Sequence, residues 1–508
     1  MSFKLYPVNK VDYSVQNYDV KINGTSVILD TARVSAFPFN RRWPGHQRQI
    51  EQTELVNFLS LSTDQPLDFE ITPKTPFENV EIRPKNLGIT PVIQNGTIKF
   101  TLPKAAYFTV EPYGRHNALH IFADTMPDYN IDINDSNVIY FGKGFHDAGV
   151  INLKSNQTLF IDEGAVVFAC VRAIDAENIK ILGRGILDNS KNKEVILFEQ
   201  NVENNNAAIN NATREHTVML EYCKNILIDG ITIRDSLVYN IRPVGCQGFT
   251  VKNVKLIGNW RYNSDGIDMH NCVDVLIEHC FIRTFDDCIC VKGFDCYYED
   301  NVEAAVKKAM YRNGKCYDVF KNVLVRDCTL WNDWGKCLEI GAETRAEEIC
   351  NIVFENCNII HIEGHTLDCD NVDYADVHDV IYRNINIEFD DVIPETLIQT
   401  CDEETYQSRE KDQNFVAGTI VMVAEFHHEY SAGGTRRGKN HDFLFENIHV
   451  YGRQPIKLAF LGYDSDHKVS NVTIRNIYKN GELLKEIPSE DIYVNEFAEN
   501  IKIETAED

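Results

Sequence analysis

Short runs of alternating apolar and polar residues recur down most of the chain, each opened by an asparagine, aspartate or glycine. Asn225-Ile-Leu-Ile-Asp-Gly, Gly248-Phe-Thr-Val-Lys-Asn, Asp274-Val-Leu-Ile-Glu-His, Asn322-Val-Leu-Val-Arg-Asp and Asn351-Ile-Val-Phe-Glu-Asn are variants of one unit. Asp379-Val-Ile-Tyr-Arg-Asn, Asp442-Phe-Leu-Phe-Glu-Asn and Asn471-Val-Thr-Ile-Arg-Asn continue it. Period-two alternation rich in β-branched and aromatic residues predicts short strands, and the polar pairs between runs predict tight turns. The first three units start 248 − 225 = 23 and 274 − 248 = 26 residues apart, and later gaps are near 379 − 351 = 28 or much longer. A near-constant period with occasional insertions marks a solenoid, in which one coil cannot bury its own apolar face and neighbours must stack. The expected fold is all-β, a right-handed parallel β-helix over residues 136–508, with coils visible from about Val150 to Ile503.

Residues 1–135 pattern differently. Asn23-Gly24 lies between Tyr18–Ile22 and Val27–Leu29, and Asn95-Gly96 lies between Val92–Ile93 and Thr97–Leu102. Asn-Gly between alternating runs is the strongest short hairpin signal, so an N-terminal antiparallel β-sandwich is expected. A chain of 508 residues suggests about three domains, but a solenoid grows without splitting its core, and two fit better. Three polar insertions, Asn189–Thr217, Gly293–Lys321 and Asp390–His441, interrupt the coils; the second contains Asp300-Asn-Val-Glu303, a capping box for a short helix that Gly314 would close. Loops of that length either wall a cleft or are solvated excursions.

There are 15 cysteines, and several take equivalent places in successive coils: Cys280, Cys328 and Cys357 close one strand, while Cys288 and Cys337 open another. A column of small apolar side chains in the core accounts for this. A zinc site from Cys288, Cys290 and Cys296 is the rival, but it lacks the paired two-residue gaps of a zinc ribbon. The chain opens without the apolar run of a secretory signal and contains no stretch long enough to span a membrane, so a cytoplasmic protein is expected. The formal charge is −26, from 76 acidic and 50 basic residues, which disfavours nucleic acid and anionic lipid as partners. Oligomeric state is not readable from the sequence.

The chemistry concentrates in Asn263-Ser-Asp265-Gly-Ile-Asp268 and Asp286-Asp287-Cys-Ile-Cys-Val-Lys292. Asp265 precedes Asp286 by 286 − 265 = 21 residues, about one coil, so the carboxylates stack on one face. Crowded carboxylates repel, and one should keep its proton near neutral pH beside others that act as bases. That pairing suits cleavage of a glycosidic bond, for which an acid and a base about 6.5–9.5 Å apart invert the anomeric carbon. Lys292 and Lys336 would hold Asp265 or Asp287 ionised and bind sugar hydroxyls, and Asp268, His270, Glu339 and Asn263 complete the expected substrate-binding set. Glu343 is a further candidate, and Asp268 reads more readily as a structural turn residue than as a sugar contact. In the N-terminal part, Arg41-Arg-Trp-Pro-Gly-His-Gln-Arg48 reads as interface packing or as a sugar-binding surface.

From Ser236-Leu-Val-Tyr-Asn-Ile-Arg-Pro-Val-Gly-Cys246 through Val251-Lys-Asn-Val254 to Lys292, the order and spacing of motifs resemble glycoside hydrolase family 28, the polygalacturonases. That family carries Asn-Thr-Asp and Gly-Asp-Asp-Cys-Ile-Ala-Ile-Lys at the corresponding places. The resemblance implies inverting hydrolysis, with Asp286 as general acid and Asp265 and Asp287 as the bases holding water. The chain departs from the pattern one coil later. Gly335-Lys-Cys-Leu-Glu-Ile-Gly341 has Lys336 for the family's histidine and Glu339 for its serine, and His365-Thr-Leu-Asp-Cys-Asp370 stands in place of the Arg-Ile-Lys motif that grips galacturonate. With a sandwich ahead of the helix and Tyr140-Phe-Gly-Lys-Gly-Phe-His146 leading into the coils, the chain is also similar to family 49, the dextranases and isopullulanases. The expected substrate is an oligo- or polysaccharide, a neutral α-glycan ahead of pectin, with no cofactor and no metal. Two other classes remain open at this point: a calcium-dependent β-helical lyase, for which the acidic cluster would be the ion site, and a non-catalytic glycan-binding solenoid.

Overall fold

The computed structural model describes residues 3–36, 50, 53–191, 216–261, 263–293, 319–390, 418–427, 430–431 and 436–505. A single sheet system of 30 strands runs from Val138 to Glu504, its coils joined by parallel pairing of each strand with its counterpart one coil further on, except for the short strand Glu482–Leu483, which pairs antiparallel with Val469–Lys479. This is the parallel β-helix that the repeat predicts, right-handed as parallel crossovers are. Each repeat opens at a left-handed backbone position: φ is +53° at Asn225, +68° at Gly248, +61° at Asp274, +60° at Asn322, +54° at Asn351 and +54° at Asp379. Asparagine, aspartate and glycine recur there because they tolerate that conformation. Stacked side chains join the turns, as in Asn225 to Asn178 and Asn351 to Asn322, at 2.7 and 2.8 Å.

The alternating inward residues fill one continuous core along the solenoid. Cys280, Cys328, Cys357, Cys288 and Cys337 belong to it, as expected of an apolar column, and the twelve described cysteines are all free. The zinc alternative loses its geometry, because Cys288 points into this core while Cys290, two residues on, does not join it; Cys296 lies outside the described residues. So do Arg41–Arg48, the Asp300–Glu303 capping box and most of the three insertions. No described helix is long and apolar enough to cross a membrane.

Residues 3–124 form a five-stranded and a six-stranded sheet enclosing their own core. Both Asn-Gly pairs are hairpin turns, with φ of +48° and +76° at Asn23 and Gly24 and +50° and +74° at Asn95 and Gly96. The sandwich is not purely antiparallel: strand Leu119–Asp124 pairs in parallel with Thr53–Thr63. Adjacency of distant strands leaves no trace in alternation, so this pairing was not readable beforehand.

The sandwich docks onto the solenoid through apolar residues from both parts, among them Val56, Phe58 and Phe122 against Phe281, Trp331 and Ile360. Buried charges ring that contact. Arg83 reaches Glu111 at 3.2 Å and Glu388 at 3.0 Å, and Arg115 reaches Asp333 at 3.2 Å and also pairs with Glu363. His361 bridges Glu111 at 3.0 Å and Asp390 at 2.9 Å, one through each ring nitrogen. Despite the cost of burial, Asp390 and Glu111 hold His361 above the ordinary imidazole range, and His361 in turn holds both acids below theirs. A raised histidine stabilises fully below its unfolded value, near pH 6.5, and ceases to as pH rises through its folded value. Depressed acids stabilise above about pH 4 and cease to as pH falls. Stability should therefore be greatest between those limits. In a melting-temperature profile against pH, His361→Gln is expected to lose the decline on the alkaline side that wild type shows.

Candidate active site

Docking bears on the site because the strands it grips lead straight into the acidic turns. Phe281–Thr284 runs into Asp286-Asp287, and Thr329–Asn332 runs into Gly335-Lys336. Asn332 Nδ2 and Thr284 Oγ1 both donate to the Asp286 carbonyl, at 2.6 and 2.5 Å. Asp333, held by Arg115 and Arg283, anchors the same turn from behind. Gly335 passes so close that a Cβ there would lie 2.6 Å from Asp287 Oδ1, so only glycine fits without displacing the carboxylate.

These turns bring Asp265, Asp286 and Asp287 together, with one oxygen of each inside 4.8 Å of the others. One water bridging Asp265 and Asp287 fits that gap at about 2.8 Å from each. Asp286 is nearer than the 6.5–9.5 Å expected of an acid facing its base. The backbone amides of Asn263 and Asp287 donate to its two oxygens at 3.3 and 3.1 Å and draw it in. Asn263 thus meets the trio through its main chain.

Lys292 projects from Ile289–Lys292 into the middle of the carboxylates, 3.6 Å from Asp265, 3.3 Å from Asp268, 3.6 Å from Asp287 and 3.8 Å from Glu343. The expectation is that it keeps Asp265 or Asp287 ionised, and the two acids differ. Burial first, then Asp286 and Asp268, outweigh Lys292 and push Asp265 well above the usual carboxylate range. Asp287 behaves as expected: although burial opposes it, Lys292 and Lys336 hold it below that range. Burial lifts Asp268 to about 6. His270, 4.0 Å from Asp268, is driven well below the ordinary imidazole range by burial and by Arg242, and neither of its ring nitrogens has a hydrogen-bond partner among the described residues.

Register sets the cleft floor. Asp268, Cys290, Glu339 and Asp368 occupy successive positions in one row, and Asp370 stands beside Gly341 in the next. Lys336 lies over this floor, 2.8 Å from Glu339, 2.5 Å from Asp368 and 3.6 Å from Asp370, and its backbone amide donates to Asp287 at 2.9 Å. Asp368 and Asp370 were not singled out from the sequence. The signal for Asp368 was present, since it follows Leu367 just as Glu339 follows Leu338 and Asp268 follows Ile267.

The chain matches the sequence pattern of Glycosyl hydrolases family 28 over residues 145–406. A probable polygalacturonase from Vitis vinifera is 27% identical over 154 residues, which is 28% of this chain and 28% of that protein. A polygalacturonase from Gossypium barbadense is 29% identical over 144 residues, 28% of this chain and 33% of its own. The matched stretch thus spans at most 33% of either relative. Among solved structures, Dex49A from Penicillium minioluteum has a similar fold, with a TM-score of 0.57 at 14% identity, covering 98% of this chain and 90% of that one.

Proposed function

The chain belongs to Glycosyl hydrolases family 28, the match covering 406 − 145 + 1 = 262 of its 508 residues, and on that premise we propose that it hydrolyses O-glycosidic bonds of an oligo- or polysaccharide with inversion. The observation that carries this reading is the trio of carboxylates within 4.8 Å around Lys292. In the reactive form Asp286, within 4.8 Å of Asp265 and Asp287, carries the proton and delivers it to the leaving oxygen. Asp287, kept ionised by two lysines, takes a proton from the water it holds together with Asp265. Water oxygen bonds to the anomeric carbon as the bond to the leaving oxygen breaks, and the trio ends with as many protons as it began with. Asp268, His270 and Glu339 bind sugar hydroxyls along the floor.

The sugar is neutral. Beyond the trio the floor presents Glu339, Asp368 and Asp370, and Lys336 is already engaged with all three. Burial raises all three acids above the usual carboxylate range, which weakens the repulsion, but a uronate carboxylate about 4 Å from one that is ionised meets about 4 kcal/mol at an effective dielectric of about 20. Even a quarter of that in each of two subsites disfavours pectic chains more than tenfold. We expect kcat/KM on neutral α-glycan oligosaccharides to exceed that on oligogalacturonides at least tenfold, followed by reducing-sugar release. Cleavage of oligogalacturonides alone would establish a polygalacturonase, the activity named for the curated relatives.

A further inference from the structure

On a separate face of the solenoid, away from the cleft floor, strands Glu348–Glu355 and Asp376–Glu388 pair in parallel, with Glu348 beside Asp376 and Cys350 beside His378. Ile349 and Val377 point into the core, so their neighbours on either side point out. His378 Nε2 lies 3.0 Å from Glu348 Oε1, and the carboxylate oxygen, Cys350 Sγ and a His378 ring nitrogen all lie within 4.8 Å of one another. The other ring nitrogen, Nδ1, is 2.8 Å from Asp379 Oδ2.

We propose that Glu348, Cys350 and His378 form a zinc site that clips these two coils together. Thiolate, imidazole and carboxylate are the ligand types zinc takes, at about 2.3, 2.0 and 2.1 Å. Those lengths in a tetrahedron separate the donors by about 3.3–3.6 Å. The present spacing reaches that with shifts of about an ångström, chiefly in the partly exposed Glu348 and His378 side chains around the buried Cys350 thiol. Asp379 occupies the place of the carboxylate that commonly orients a metal-binding histidine from behind and fixes which nitrogen faces the ion. His441 stacks on His378 with ring centroids 5.1 Å apart and planes at 8°, and holds the ring from the next coil. The next coil repeats the arrangement, with His441 between Asp442 and Asp376, but there His378 itself takes the register position that Cys350 holds beside His378. The soft ligand is therefore confined to the Cys350 layer. Glu348 and His378 remain partly exposed, which leaves an entry path and a fourth position for water. Binding releases the thiol proton and any proton on the imidazole.

The test uses the full chain stripped of metal with chelator and titrated with Zn2+ by calorimetry and with Co2+ by absorbance. One saturable zinc site and a near-ultraviolet thiolate-to-cobalt band are expected. Cys350→Ser should abolish the band, and His378→Ala should weaken zinc binding at least tenfold, in line with the loss typical of a missing ligand or its support. Cys290→Ser, which alters the thiol on the cleft floor, should leave the band in place. Zinc should also raise the melting temperature of wild type and not that of Cys350→Ser. No saturable binding by the folded wild-type chain, a band that survives Cys350→Ser, or a band lost with Cys290→Ser overturns the assignment.

Discussion

Asp286→Asn is expected to lower kcat by about 10^3-fold, within the span of about 10^2–10^4 that a positioned general acid supplies, while melting with wild type. The amide keeps the shape of the side chain, and its oxygen still accepts from the Asn263 or Asp287 amide, so the turn is retained. What it removes is the proton for the leaving oxygen. The pH profile of the residual rate gives a second check. Negative charge on Asp286 is, after burial, the largest influence raising Asp265. Neutralising it should lower the Asp265 value and move the corresponding limb toward lower pH. An unchanged profile with unchanged kcat would show that Asp286 neither supplies the proton nor raises Asp265.

Lys292→Met should be more severe for the fold and comparably severe for activity. The lysine lies within 4 Å of four carboxylates and is itself nearly fully buried. Removing one partner from a buried pair typically costs about 3–5 kcal/mol, because the remaining charge is left without compensation. Here several remain. With the cation gone, Asp287 loses the largest influence holding it down and should protonate at higher pH, which removes the base. The acid limb of kcat/KM is therefore expected to move upward. Because carboxylates raised in the folded state destabilise as pH rises through their folded values, the stability gap from wild type should narrow toward low pH. Urea unfolding across pH measures this, and a gap constant with pH would contradict the charge account.

Much of this architecture was legible because solenoid physics writes itself locally. Left-handed turn positions demand asparagine, aspartate or glycine, as at Asn225, Gly248 and Asp274, and inward positions demand apolar side chains, so one coil announces the next. The trio was legible for the same reason, since coil spacing converts into stacking. Three features were not. The His361 network joins Glu111 to a residue 250 positions later, a contact set by docking two units that no periodicity encodes. Protonation of Asp265 depends on the balance of burial, Asp286, Asp268 and Lys292, and sequence gives their identities without their distances. The position of Lys336, over Glu339, Asp368 and Asp370, follows from the register of three strands and turns an apparent sugar ligand into a charge already paired.

The most direct measurement is anomeric NMR of the first product released by wild type from a panel of α-glucan, galactan, arabinan and pectic oligosaccharides, with Asp286→Asn alongside. The carboxylate account predicts that a neutral α-linked oligosaccharide is cleaved with the anomeric configuration inverted to β, and that the variant turns over about 10^3-fold more slowly. Because the trio is packed more closely than an inverting pair usually is, the configuration is a demanding check. A product of retained configuration, or equal turnover by wild type and Asp286→Asn, would contradict the account.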